Sequence, residues 1–247
     1  MSKNFLQLTK LSLLLCLCIP TGAFAQVKNV ITTNRVFPKV DKRLEFEKAI
    51  SAHAKKYHSG DTKWRVLQIQ SGNDAGGYQV SEGPTSWEAL DSRGNMGDEH
   101  NNDWNKNVTI HLTERGSTGY FVYQDSLSSV AVGDHSDKIN ITHFYPKIGH
   151  GGRISAAIKK LRAGWMVDGS AVAVYTASSS GPQQYVLVTR YKQGLKERAN
   201  GFRKPFKGVF EGIHGEDSWE DYLDELRQYA DQIWSELLFY RADLSSK

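Results

Sequence analysis

Cysteine is almost missing from this chain: the two present, Cys16 and Cys18, both fall within the first 25 of its 247 residues. The remainder can form no disulfide, so its stability has to come from apolar burial alone. An excess of charge is missing too. Without Lys3 and Lys10, 29 basic residues stand against 27 acidic ones, a formal charge near +2. Such a mixture lacks the concentrated basic footprint that binding a phosphate backbone needs, and nucleic acid is not expected as a partner. The short basic stretch around Arg203, Lys204 and Lys207 reads as a solvated loop. Long apolar runs are absent after the first 25 residues, which excludes a transmembrane segment there. Catalytic signatures are equally scarce. None of the eight histidines belongs to a His-Glu-x-x-His arrangement, and metal binding is not indicated by spacing. Ser126, Ser128 and Ser129 lack the flanking glycines of a nucleophile elbow.

What is present begins with a leader. Lys3 and Lys10 precede a run from Leu11 to Ile19 that is apolar except for Ser12, and Ala23-Phe24-Ala25 supplies small residues for a peptidase. Residues 1–25 are therefore expected to be a signal peptide cleaved before Gln26, sending the protein to periplasm or medium. Leu15 and Leu17, directly before the two cysteines, are larger than the residue a lipid-attachment site uses.

The strongest signal is internal repetition. Val36-Phe37-Pro38-Lys39-Val40 returns 108 positions later as Phe144-Tyr145-Pro146-Lys147-Ile148, each time before an amphipathic helix. The halves also end alike, Tyr123-Gln124-Asp125-Ser126-Leu127-Ser128-Ser129 against Tyr240-Arg241-Ala242-Asp243-Leu244-Ser245-Ser246. In the first half the pattern predicts strands over 29–37, 63–70 and 78–81, helices over 42–57 and 99–114, and a last strand over 120–123. Gly83-Pro84 is read as a break, with a short helical turn over 85–90. In the second half it predicts strands over 138–145, 168–176, 183–191 and 237–241, with helices over 153–163 and 218–234. Each half is thus βαββαβ, one over 26–129 and the other over 138–247, joined by 130–137.

Crossover helices in such a unit cover one face of a four-stranded antiparallel sheet and leave the other face bare. Two copies in one chain bury both bare faces against each other. In this tandem order the chain resembles the dimeric α/β-barrel superfamily, whose members include monooxygenases of antibiotic biosynthesis, small stress-responsive proteins and haem-handling enzymes. The expected fold is therefore α+β: two ferredoxin-like units packed sheet to sheet as an intrachain pseudo-dimeric barrel. Closure within one chain predicts a monomer, with exposed helix faces as the route to a homodimer.

The resemblance implies a small-ligand cavity between the helices and the sheet of a unit. His53 and Tyr57 lie on the apolar stripe of the first helix; at the same offset His53 becomes Leu161, so a core position and a cavity histidine are both open readings. In the second unit His143 and Tyr145 share one strand face and Arg153 starts the helix; the equivalents of the first two are Arg35 and Phe37. A histidine on that face could hold a haem or an anionic substrate. The six tryptophans read as packing mass, five of them on or beside helices and Trp64 opening a strand. Two functions follow: an exported protein binding a small apolar or aromatic ligand without assured catalysis, or, as the resemblance implies, a cofactor-independent or haem-dependent oxidoreductase acting on a small aromatic substrate.

Overall fold

The computed structural model describes residues 27–247; the leader and its two cysteines lie outside the described residues. Eight antiparallel strands form one closed barrel: β1 (Val30–Pro38), β2 (Trp64–Ile69), β3 (Tyr78–Thr85), β4 (Leu112–Tyr123), β5 (Lys138–Pro146), β6 (Val172–Ser178), β7 (Tyr185–Arg190) and β8 (Ala230–Tyr240). Around the barrel they run β1-β3-β2-β8-β5-β7-β6-β4 and back to β1. Each half contributes four adjacent strands in the same internal order. The two seams between halves pair β2 with β8 and β4 with β6. Two ferredoxin-like βαββαβ units thus form a pseudo-dimeric barrel within one chain.

The repeat is visible residue by residue. β1 and β5 both begin and end 108 positions apart, each closing on its proline. After β4 and β8 the repeated tail crosses to the opposite unit. Ser128 Oγ accepts the Val174 amide at 2.8 Å and Ser129 Oγ accepts that of Val172 at 2.8 Å. Ser245 Oγ accepts the Val66 amide at 2.9 Å and Ser246 Oγ that of Trp64 at 3.0 Å. Each Ser-Ser pair therefore satisfies strand amides left unpaired where a seam ends. Leu127 is buried in the core of the second unit and Leu244 in that of the first.

Three apolar layers result. Alternation along the strands sends one set of side chains outward under the helices and the other into the barrel. In the first unit α1 (Arg43–Tyr57) lays Phe46, Ile50 and Ala54 against Val66, Tyr78 and Val80. In the second, α2 (Gly151–Asp168) lays Ile154, Ile158 and Leu161 against Phe144, Val174 and Leu187. Leu67, Ile69, Ile139, Ile141, Val186 and Leu238 fill the barrel between them. No helix of the described residues is long and apolar enough to cross a membrane.

Several boundaries differ from the sequence-based expectations. The helix expected over 99–114 is a short α-helix (Asp98–Asp103), a π-helical turn (Trp104–Val108) and a 3-10 turn (Thr109–His111), after which β4 already begins. β4 must be long because it pairs with β1 along its length, from Leu112 against Pro38 to Val122 against Val30. Its glycines belong inside the strand: a Cβ on Gly119 would sit 2.8 Å from the Phe121 ring. β3 likewise runs through Gly83-Pro84 to Thr85, accommodated by a register shift against β1. α2 continues to Asp168 and stops at left-handed Gly169, so β6 starts at Val172 rather than near 168. The last helix (Ser218–Tyr229) ends before Trp234, which is a strand residue, and Lys207 of the basic stretch expected as a loop falls in a helix, Phe206–His214.

The crossed tails predict that each leucine supports the unit it does not belong to in sequence. Leu244→Ala and Leu127→Ala should each lower unfolding free energy by about 2–5 kcal/mol, measured by urea titration with both tryptophan fluorescence and circular dichroism.

Candidate functional site

Two polar constellations interrupt these apolar layers. One lies under the helices of the first unit. His53 comes from the buried stripe of α1, His58 from just beyond its end, and His100 from the short helix Asp98–Asp103. His53 Nε2 lies 3.2 Å from His100 Nε2, which lies 3.3 Å from His58 Nε2. All three ligand nitrogens fall within 4.8 Å of one another. The outer nitrogens are held as well: His53 Nδ1 meets Asp103 Oδ2 at 2.7 Å and His100 Nδ1 meets Asn101 Oδ1 at 3.1 Å. His58 Nδ1 is buried without a hydrogen bond, 3.7 Å from Glu82 Oε2.

The surroundings fix this geometry. His58 stacks on Trp64 with ring centres 3.5 Å apart, and Trp104 sits edge-on to both His53 and Trp64. Glu82 takes the Trp64 indole at 3.0 Å and a two-pronged contact from Arg93. Burial would raise the Glu82 carboxyl, but His58, Arg93 and Trp64 together hold it below its ordinary range. Burial lowers the pKa of both His53 and His58, which favours neutral rings with an available lone pair. Asp103, hydrogen-bonded by His53 and by Asn107 at 2.8 Å, stays an anion. A carboxylate on Nδ1 fixes the tautomer that leaves Nε2 free to ligate.

The second constellation lies inside the barrel, around a cavity of about 290 Å³. Glu236 of β8, whose side chain is wholly buried, pairs with Arg35 of β1 and accepts from His143 Nε2 of β5 at 2.9 Å. Arg35 also reaches Asp74 at 2.6 Å and Gln79 at 3.0 Å. Burial would lower the Arg35 pKa, yet Glu236 and Asp74 keep it raised. His143 Nδ1 meets Gln184 at 3.1 Å, and the imidazole stacks on Trp234 with centres 4.0 Å apart. Ile31, Leu67, Phe121, Ile141 and Val186 give the rest of the cavity an apolar wall that suits a small apolar or aromatic ligand.

The residues singled out from sequence thus divide between places. His53 and Tyr57 lie in the helix–sheet layer, with Tyr57 edge-on to His100 and its hydroxyl near Glu99. His143 and Tyr145 line the barrel cavity, not a space beneath the helices. Arg153 meets neither: it is exposed at the start of α2, its guanidinium over the Tyr229 ring. His58, His100, Asp103, Glu82 and Glu236 are the residues that sequence reasoning passed over or read as structural. His58 and His100 are 42 positions apart and meet only through the fold.

Comparison of the whole fold gives consistent neighbours. A candidate monooxygenase from Fusobacterium nucleatum superposes with a TM-score of 0.54 at 12% identity over 85% of this chain and 91% of its own. One from Lactobacillus acidophilus gives 0.51 at 10% identity over 88% and 95%. An anthrone oxidase-like protein gives 0.51 at 13% identity over 87% and 92%. The fold is that of the dimeric α/β-barrel superfamily. No protein-family model and no curated protein matches the sequence. At such identities the superfamily's architecture transfers and its chemistry does not, so the site rests on this chain's own residues.

Glu236 joins Arg35 of one unit to His143 of the other, and its removal should be costly. Glu236→Leu should destabilise the fold by about 3–5 kcal/mol, because it leaves the Arg35 guanidinium with Asp74 alone and His143 Nε2 without an acceptor. Glu236→Gln, which keeps a hydrogen-bond acceptor, should lose clearly less in the same denaturant titration.

Proposed function

We propose that this protein is a metal-dependent enzyme whose centre is a divalent first-row transition ion held by His53, His58 and His100. The convergence of their Nε2 atoms carries the reading. With Nδ1 of His53 committed to Asp103 and Nδ1 of His100 facing Asn101, the Nε2 atoms of these rings are left to face one another and that of His58. A shared ion would engage all three Nε2 atoms at once. A tetrahedral ion with metal–nitrogen bonds of about 2.0–2.1 Å has ligand–ligand edges of about 3.3–3.4 Å, close to the 3.2 and 3.3 Å of two of the three pairs, the third lying within 4.8 Å. Imidazole sets suit zinc, copper, iron or nickel, and residues 26–247 contain no thiol to compete.

Three protein ligands leave a coordination position for water or substrate, the arrangement of catalytic rather than structural sites. His53 and His58 are sealed in the core while His100 and Tyr57 are partly exposed, so the open position faces the Tyr57 side. There an ion would acidify a bound water or polarise a substrate oxygen. Asp103 holds His53 in its ligating tautomer, Trp64 and Trp104 keep water from the buried side, and the Tyr57 hydroxyl can hydrogen-bond an incoming group.

For the reaction class we favour oxidation of a small aromatic compound, a reading supported by the names of the structural neighbours together with this aromatic lining. A haem fits less well. Imidazole centres 4.8 to 5.4 Å apart fill the space a porphyrin would need, and His143 has both nitrogens engaged. The leader read in residues 1–25 supports a periplasmic or extracellular site of action.

Chelator-treated protein should take up one equivalent of cobalt(II), giving a visible d–d spectrum that His53→Ala, His58→Ala and His100→Ala each abolish. Asp103→Asn should weaken uptake about 10–100-fold. At zinc 100-fold above Kd, thermal unfolding should show about 2.7 kcal/mol of added stability. Absence of saturable uptake, or uptake indifferent to His100→Ala, would overturn the metal centre.

A further inference from the structure

The barrel cavity has a second polar end that the Arg35–Glu236–His143 network does not touch. Near the start of β5, Arg65 of β2 and Arg190 of β7 both line it, with His135 and Ser136 of the joining segment at its mouth. Arg190 is only 3% exposed, and its guanidinium donates to the carbonyls of Ala131 and Val132 and to the Tyr175 hydroxyl. All three acceptors are neutral. Among the described residues, no carboxylate lies within salt-bridge distance of either Arg65 or Arg190. Arg65 instead rests over the Tyr240 ring, 4.1 Å from its centre, with Asp137 exerting only a distant attraction. Ser136 Oγ is buried with no hydrogen-bond partner.

A buried guanidinium without a counter-charge is expensive, and two beside each other repel. Elsewhere this chain pairs its buried arginine charge: Arg35 meets Glu236 and Asp74. The contrast between the two ends of one cavity is what asks for an occupant. The missing partner is an anion small enough to accept from two guanidiniums and the Ser136 hydroxyl. Next to them the wall is apolar and flat-sided: Ile31, Ile139, Tyr175 and Val188. An inorganic anion would leave that wall bare, whereas a planar organic acid would cover it.

We propose that the barrel interior is a binding site for a small organic acid with a flat apolar body, its carboxylate seated between Arg65 and Arg190. The site is built from strands of both units and is separate from the three histidines, which lie outside the barrel under α1. It stands whether or not those histidines hold a metal.

The test uses 2-naphthoate as probe, followed by calorimetry and by quenching of tryptophan fluorescence, since Trp234 lines the cavity. Residues 26–247 should bind one equivalent saturably, and the uncharged isostere 2-naphthamide should bind at least tenfold more weakly. Arg190→Gln and Arg65→Gln should each weaken 2-naphthoate by tenfold or more, the second serving where the first compromises folding. His53→Ala and His58→Ala should leave binding unchanged, which keeps this outcome distinct from that of the metal centre. Equal affinity for the acid and the amide, indifference to both arginine variants, or no saturable binding would overturn the proposal. Sulfate competing as strongly as 2-naphthoate would overturn the organic body and leave an inorganic anion site.

Discussion

A four-stranded antiparallel sheet covered by helices on one face has two edges of unpaired amides and carbonyls and one bare apolar face, and this chain's architecture follows from having to hide all three. Pairing β2 with β8 and β4 with β6 removes every edge, and closure buries the two faces as one interior. The seams are short, four register pairs at one and three at the other. The Leu-Ser-Ser tails extend them, each serine pair taking the amides just beyond the last ladder bond and each leucine entering the opposite core. With two units committed to one another in this way, neither can drift without exposing backbone polar groups.

That commitment frees the copies to diverge inside. Position 53 is a histidine in the metal-capable cluster, while its counterpart Leu161 is plain core. The second unit fills its helix–sheet layer with Trp165, Phe210 and Tyr222, having gained the helix Phe206–His214. The first fills the same layer with imidazoles, two tryptophans and the Glu82–Arg93 pair, and carries a π-helical turn next to Asp103. Within the barrel the divergence is joint. Arg35 and His143 occupy the same position of the two copies and converge on one carboxylate, Glu236. A substitution that looks like loss of equivalence in a pairwise comparison is, in the closed barrel, two halves of one network.

The legibility of the chain follows the range of the interactions. Repeats, amphipathic stripes and turn residues act over a few positions, so the βαββαβ order and the offset between copies could be read directly. The start of β4 is not legible because its exposed stretch, Thr113 to Thr118, has no alternation; its strand form there is imposed by pairing with β1. The helix Phe206–His214 did carry a signal, Pro205 ahead of Phe206, Val209, Phe210 and Ile213, masked by the basic residues before it. The site was less visible. His53 stands out as a polar residue on an apolar stripe, but no local spacing encodes its meeting with His58 and His100.

Polar atoms inside the described residues, which contain no cysteine, have to be accounted for by what they stabilise. In the Glu236 network each member meets a partner. The histidine cluster and the Arg65–Arg190 pair differ from it: three imidazoles converge through their Nε2 atoms, and two guanidiniums line one end of the cavity with no carboxylate in salt-bridge distance among the described residues. A cation at the first and an anion at the second, as proposed, would each supply an interaction that the neighbouring residues do not. Arg190 cannot be exchanged for leucine without leaving the Ala131 and Val132 carbonyls and the Tyr175 hydroxyl without their donor. The guanidinium that ties the joining segment to the barrel is therefore the same one that faces the cavity in which the proposed anion would sit.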